Sequence, residues 1–108
     1  MEFVEASIFT KIITQLMSDD DYRAMQEAMI AQPDIGSVIR GTGGLRKFRW
    51  KLGDSGKRGG VRTIYYWQVH EETFYMLYAY TKNRQKDLTS VEKKVLSELA
   101  REFCNERP

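Results

Sequence analysis

The 108-residue chain has one cysteine, one histidine and two prolines. A lone Cys104 excludes an intramolecular disulfide and a cysteine-based zinc site, which suits a reducing compartment; on the C-terminal segment it reads as a small apolar filler. His70 is the only imidazole and sits beside Glu71 and Glu72 in a predicted turn, so neither a Ser/His triad through Ser55, Thr63 or Ser90 nor metal chelation is supported. No apolar run approaches the roughly 18 residues of a membrane span, and MEFVEASIF lacks the basic start and unbroken apolar stretch of a signal peptide. The expectation is a cytoplasmic protein without a membrane partner. The glycine-containing loops RGTGG and KRGG do not fit G-x-x-x-x-G-K-[ST], and neither opens a helix after a strand, which argues against nucleotide binding.

What is present is ordinary in amount and unusual in arrangement. A 42% hydrophobic content is that of a globular protein, and the length supports one compact domain over residues 1–108. The net charge is only +2. Residues 1–39 nevertheless carry two cations against seven acids, and residues 40–62 eight cations against Asp54 alone; the remainder balances. A basic patch concentrated in a neutral or acidic chain attracts polyanions locally without general stickiness. The acidic N-terminal third reads as a solvated helical face, with repulsion of RNA from one side as the alternative.

Hydrophobic periodicity predicts the order β-α-α-β-β-β-α. Met1 to Glu5 is a candidate edge strand. Phe9, Ile12, Ile13, Leu16 and Met17 recur at helical spacing over Ser7 to Met17. Ser18 to Asp21 supplies a cap and first-turn acids for a second helix to about Gln32, with Tyr22, Met25, Met29 and Ile30 inward and Pro33 and Gly36 ending it. Over Leu45 to Leu52 the period becomes two: Leu45, Lys47, Arg49 and Lys51 share one face, Arg46, Phe48, Trp50 and Leu52 the other. GDSGKRGG is a long basic hairpin tip leading to a strand over Val61 to Val69. In the third meander strand, Thr73 to Thr81, Phe74, Met76, Tyr78 and Tyr80 alternate against Tyr75, Leu77 and Ala79. Thr89 and Glu92 fit a capping box for the last helix, whose stripe is Val95, Leu96, Leu99 and Phe103. The fold class is therefore α+β: two N-terminal helices on one face of a mainly antiparallel sheet, a C-terminal helix, and the other face partly open.

Arg62 stands inside an otherwise β-branched and aromatic strand, where an unpaired guanidinium is costly. If the strands form a meander, Lys47, Arg49 and Arg62 converge with Lys82, Asn83, Arg84 and Lys86, making a phosphate pocket; Arg46, Lys57 and Arg58 are candidates for the surrounding RNA contacts, and ordinary surface charge is an equal reading for them and for Lys51. The tyrosines and Trp67 read mainly as sheet core. Such a pocket can cleave RNA without a metal, because the ribose 2′-OH is an internal nucleophile and the protein need only position the phosphate, take a proton and stabilise charge. Arginine suits bidentate phosphate binding, and a lysine crowded by cations can serve as a base. DNA lacks the 2′-OH, so the chemistry would be RNA-specific.

The blocks GTGGLRKFRW, GKRGGVRTIYYW and FYMLYAYTKNRQKDLT together resemble the RelE superfamily of toxins, most closely its HigB-like branch, over nearly the whole chain in the same element order. The resemblance implies a type II toxin that enters the ribosomal A site and cuts mRNA, giving a 2′,3′-cyclic phosphate without cofactor or metal. It implies a cognate antitoxin, of helix-turn-helix type. Carried over by position, the catalytic set is Lys47, Arg49, Arg62 and Lys82, with Asn83 and Arg84 beside it, and Arg62 points at RNA with glycines ahead of it to let a backbone approach. Thr89 stands where the RelE archetype has a tyrosine. A ParE-like toxin of the same fold acting on DNA gyrase, and a non-catalytic nucleic-acid-binding module, are the alternatives.

Overall fold

The computed structural model describes residues 1–52 and 60–106. Its elements run β1 (Glu2–Glu5), α1 (Ser7–Leu16), α2 (Asp19–Ala31), β2 (Ser37–Val38), β3 (Arg46–Trp50), β4 (Val61–Gln68), β5 (Thr73–Thr81) and α3 (Ser90–Glu106). The five strands form one mixed sheet in the order β1-β5-β4-β3-β2. The meander β3-β4-β5 is antiparallel; β1 joins β5 in parallel, with Phe3 opposite Phe74. The two-residue β2, against Lys47 and Arg46, is an addition to the predicted order.

The sheet is covered on both faces. α1 and α2 bury Phe9, Ile13, Met25 and Met29 against Phe48, Val61, Tyr65, Phe74, Met76 and Ala79. On the other face, α3 buries Leu96 and Ala100 against Leu45, Ile64, Tyr75, Leu77 and Tyr80. Both predicted caps form. The Ser18 hydroxyl accepts from the Asp21 N–H at 3.1 Å, below three first-turn acids that suit the positive end of α2. Thr89 and Glu92 exchange bonds of 2.8 and 3.1 Å, a complete capping box at the start of α3.

Three expectations change. Ile30 is 46% exposed rather than inward, because the inner stripe of α2 passes through Tyr22, Met25 and Met29, and Ile30 lies about 100° round from Met29. The alternation of β5 does not run unbroken. Ile64 pairs with Tyr78 but Tyr65 pairs with Met76, so Leu77 is an extra residue in the ladder. This bulge reverses the phase beyond it, sending Ala79 to the α1/α2 core and Tyr78 and Tyr80 to the α3 face. Finally, of the two glycines ahead of Arg62, Gly59 lies outside the described residues and Gly60 (φ +63) serves the fold. A Cβ there would lie 2.1 Å from the Trp50 carbonyl oxygen, so the backbone this glycine admits is that of β3.

Candidate RNA-binding and catalytic site

Register assembles the site. On the α3 face, Arg49 of β3 lies opposite Arg62 of β4, which lies opposite Tyr80 of β5. With strands about 4.8 Å apart, this row spans about 10 Å. The neighbouring row is Lys47, Ile64 and Tyr78. α3 covers the sheet at Ile64, Tyr75 and Leu77 but leaves this end open: Arg49 is exposed, and Lys47 and Arg62 are half-buried. Like charges directly opposite one another weaken a sheet. Arg49 and Arg62 stand in that relation.

The segment from Lys82 to Thr89 folds back over the row. Lys82 and Asn83 are exposed in the turn that begins where Thr81, opposite Val61, ends the strand; the Arg84 N–H closes it on the Thr81 carbonyl at 3.0 Å. The chain then delivers Asp87 to Lys47, whose Nζ donates to Asp87 Oδ1 at 3.1 Å. The same oxygen accepts from the Leu88 N–H at 2.8 Å and, more weakly, from the Tyr80 hydroxyl at 3.5 Å. Leu88's N–H and Lys47 hold the Asp87 carboxyl below its ordinary value, so it is a carboxylate at neutral pH. Burial, with Asp87 nearby, pushes the Tyr80 phenol up to about 12 against the opposing pull of Arg62. Tyr80 is thus a protonated donor throughout the physiological range. Gln85 fixes the rest of the segment. It donates to the Asp87 carbonyl at 2.9 Å and Glu92 Oε1 at 3.0 Å, and accepts from the Tyr78 hydroxyl at 3.1 Å.

Of the candidates read from the sequence, Lys47, Arg49 and Arg62 share one patch, with Lys82 and Asn83 at its border. Arg84 lines a groove with Ile12, Gln15, Leu16, Tyr78 and Tyr80. Arg46 faces the other way, its Nη1 donating to the Asp34 carbonyl at 2.9 Å. Lys57, Arg58 and most of the hairpin tip, including Ser55, lie outside the described residues. The Thr63 hydroxyl is buried and donates to Met25 Sδ at 3.6 Å, His70 is exposed in its turn, and Thr89 is committed to its cap. Two further residues meet the patch: Asp87, which the sequence reading does not single out, and Tyr80, which it reads mainly as sheet core with base stacking as the alternative. The signal for Asp87 was a single acid within a run of cations, KNRQKD; Tyr80 was assigned to the wrong face because the bulge carries no signature. Lys47 itself meets an acid, Asp87, which orients its Nζ. Among the described residues no three His, Cys, Asp or Glu side chains gather to hold a metal.

The structure is a small α+β domain with a five-strand mixed sheet and a row of cations on its uncovered end. The family model described as RelE toxin of RelE / RelB toxin-antitoxin system matches residues 7–107. The chain belongs to the RelE toxin family: it is a toxin of a toxin–antitoxin system, and membership implies an antitoxin partner. No helix among the described residues is long and apolar enough to cross a membrane.

Proposed function

We propose that the chain is a ribosome-dependent endoribonuclease of the HigB-like branch, cutting mRNA in the A site and so stopping translation. The observation that carries this reading is the Arg49–Arg62–Tyr80 row, with Lys47 held beside it by Asp87. Arg49 and Arg62 grip the non-bridging oxygens of the scissile phosphate. The 2′-hydroxyl loses its proton to water as its oxygen attacks phosphorus in line, the bond to the 5′-oxygen breaks and that oxygen takes up a proton, so that a 2′,3′-cyclic phosphate and a 5′-hydroxyl result. The guanidinium groups stabilise the charge that builds on the phosphorane, and the Lys47 ammonium and Tyr80 phenol add donors to the same oxygens or the leaving one. Asp87 keeps Lys47 aimed at the site. Lys82 completes the catalytic set from the adjoining turn, and Asn83, Lys57 and Arg58 contact flanking phosphates. Arg46, tied to Asp34 on the opposite face, is left out of it.

The ribosome supplies what this open patch lacks, a substrate strand held in a fixed conformation. Helix-turn-helix architecture in the antitoxin is part of the same proposal. The test is mRNA cleavage in a purified translation system by wild type and Arg62→Ala, with and without ribosomes. Cuts made only with ribosomes, reduced at least 100-fold in the variant while it still binds antitoxin, are expected, since one preorganised donor is worth about that factor. Intact mRNA alongside inhibited gyrase would overturn the reading in favour of a ParE-like activity.

A further inference from the structure

A second basic surface lies apart from the Arg49–Arg62 row. It is a groove of about 430 Å³ between α3 and the loop joining β2 to β3, lined by Arg40, Gly41, Ser90, Lys93, Lys94, Ser97, Glu98 and Arg101. The α3 residues recur at spacings of three and four, so they form one stripe, and Lys94 and Arg101 stand about 10 Å apart along it. Ser97 keeps the floor low; its hydroxyl is satisfied by the Lys93 carbonyl at 2.7 Å. Arg40, Lys94 and Arg101 are exposed, and none of the four cations has an ion-pair partner among the described residues.

We propose that this groove binds the phosphate backbone of duplex RNA. Four cations against one acid mark it for a polyanion. Its lining holds no aromatic or aliphatic side chain, whereas protein interfaces centre on such anchors and single strands are held by stacking. What remains is recognition by charge and shape, the manner in which A-form duplexes are read. Glu98 fits the choice of RNA, because a carboxylate repels phosphate but accepts from a 2′-hydroxyl. The ribosomal consequence rests on the function proposed above: the duplex would be structural RNA beside the A site.

The experiment measures binding of a ~16-bp RNA duplex, a length that spans about two minor grooves, by wild type and Lys94→Gln/Arg101→Gln at several salt concentrations. Both side chains are exposed, so the variant is expected to fold; equal melting temperatures and recovery of binding in Lys94→Arg/Arg101→Lys check this. Removing two phosphate contacts should lower affinity about tenfold and flatten the dependence of log K on log salt by about 2. In ribosome-dependent cleavage, KM should rise with kcat unchanged. A wild type that does not bind the duplex, or a variant with unaltered affinity and slope, overturns the proposal. So does a DNA duplex or a poly-glutamate peptide held as tightly as the RNA, the latter pointing to an acidic protein partner. If the wild type fails to cleave mRNA on ribosomes, the proposed function falls, while the duplex measurement still decides the groove.

Discussion

On the proposed function, the Arg49–Arg62 pair sets function against stability at single residues. Arg49 is exposed and directly opposite a like charge, so Arg49→Thr should leave the fold unharmed or stabilise it by a few tenths of a kcal/mol, Thr being a good strand residue. The same substitution should reduce cleavage at least 100-fold. Chemical denaturation and a cleavage assay on one preparation check both halves; lost stability would mean that the arginine serves the fold. Asp87 behaves oppositely. Its folded-state value lies below the ordinary carboxylate value, so its contribution to stability is present above about pH 4 and disappears as pH falls through the depressed value. Its side chain is more than half exposed, which limits the ion pair to under about 1 kcal/mol. Asp87→Asn should accordingly melt slightly below wild type at pH 7 and approach it at pH 3, while cleavage falls about tenfold because Lys47 loses its orientation.

At the scale of elements, the site depends on how closely β2 and its approach abut β3. Gly36 has φ +86, and a Cβ on it would fall 2.3 Å from the Lys47 carbonyl oxygen and 2.7 Å from Phe48 Cβ. Gly36→Ala combines left-handed strain of about 1 kcal/mol with that clash, so a loss of 2 kcal/mol or more is expected. The displaced backbone is that of Lys47, so cleavage should fall beyond what unfolding explains, measurable well below the melting temperature. This dependence was not legible in the sequence, although much else was. Stripes at three and four gave α1 and α2, alternation gave the two faces of β3, and Ser18, Thr89 and Glu92 announced their caps, because each signal lies within one element. Illegible features join distant segments: the parallel docking of β1 on β5, and the clamp of Lys47 by Asp87, forty residues away. The bulge at Leu77 was hidden for another reason. Two phases of an aromatic strand are equally apolar, so nothing local reported that Tyr80 turns to face Arg62's side of the sheet.

Across the whole molecule, charge is separated by layer. The basic row and groove lie on the α3 side, while the first-turn acids Asp19, Asp20 and Asp21 belong to α2, which packs on the other face. Two explanations compete for those acids. As a repulsive field they would orient the approach to RNA; as a helix terminus they offset the partial positive charge of the N–H groups there. Distance decides between them. Beyond about 8 Å at physiological ionic strength, exposed charges are largely screened, and the sheet with its side chains separates α2 from the basic surface by about 10 Å or more. The dipole interaction acts within one turn and escapes that screening to a greater degree. Asp19→Asn/Asp20→Asn/Asp21→Asn, with Ser18 retained, should therefore lower stability by about 1 kcal/mol and the melting temperature by about 4–8 °C. The association rate with ribosomes at 0.15 M salt should stay within twofold of wild type by stopped-flow. A rate changed tenfold with the melting temperature unmoved would reverse the assignment, making the acids a steering device rather than part of the fold.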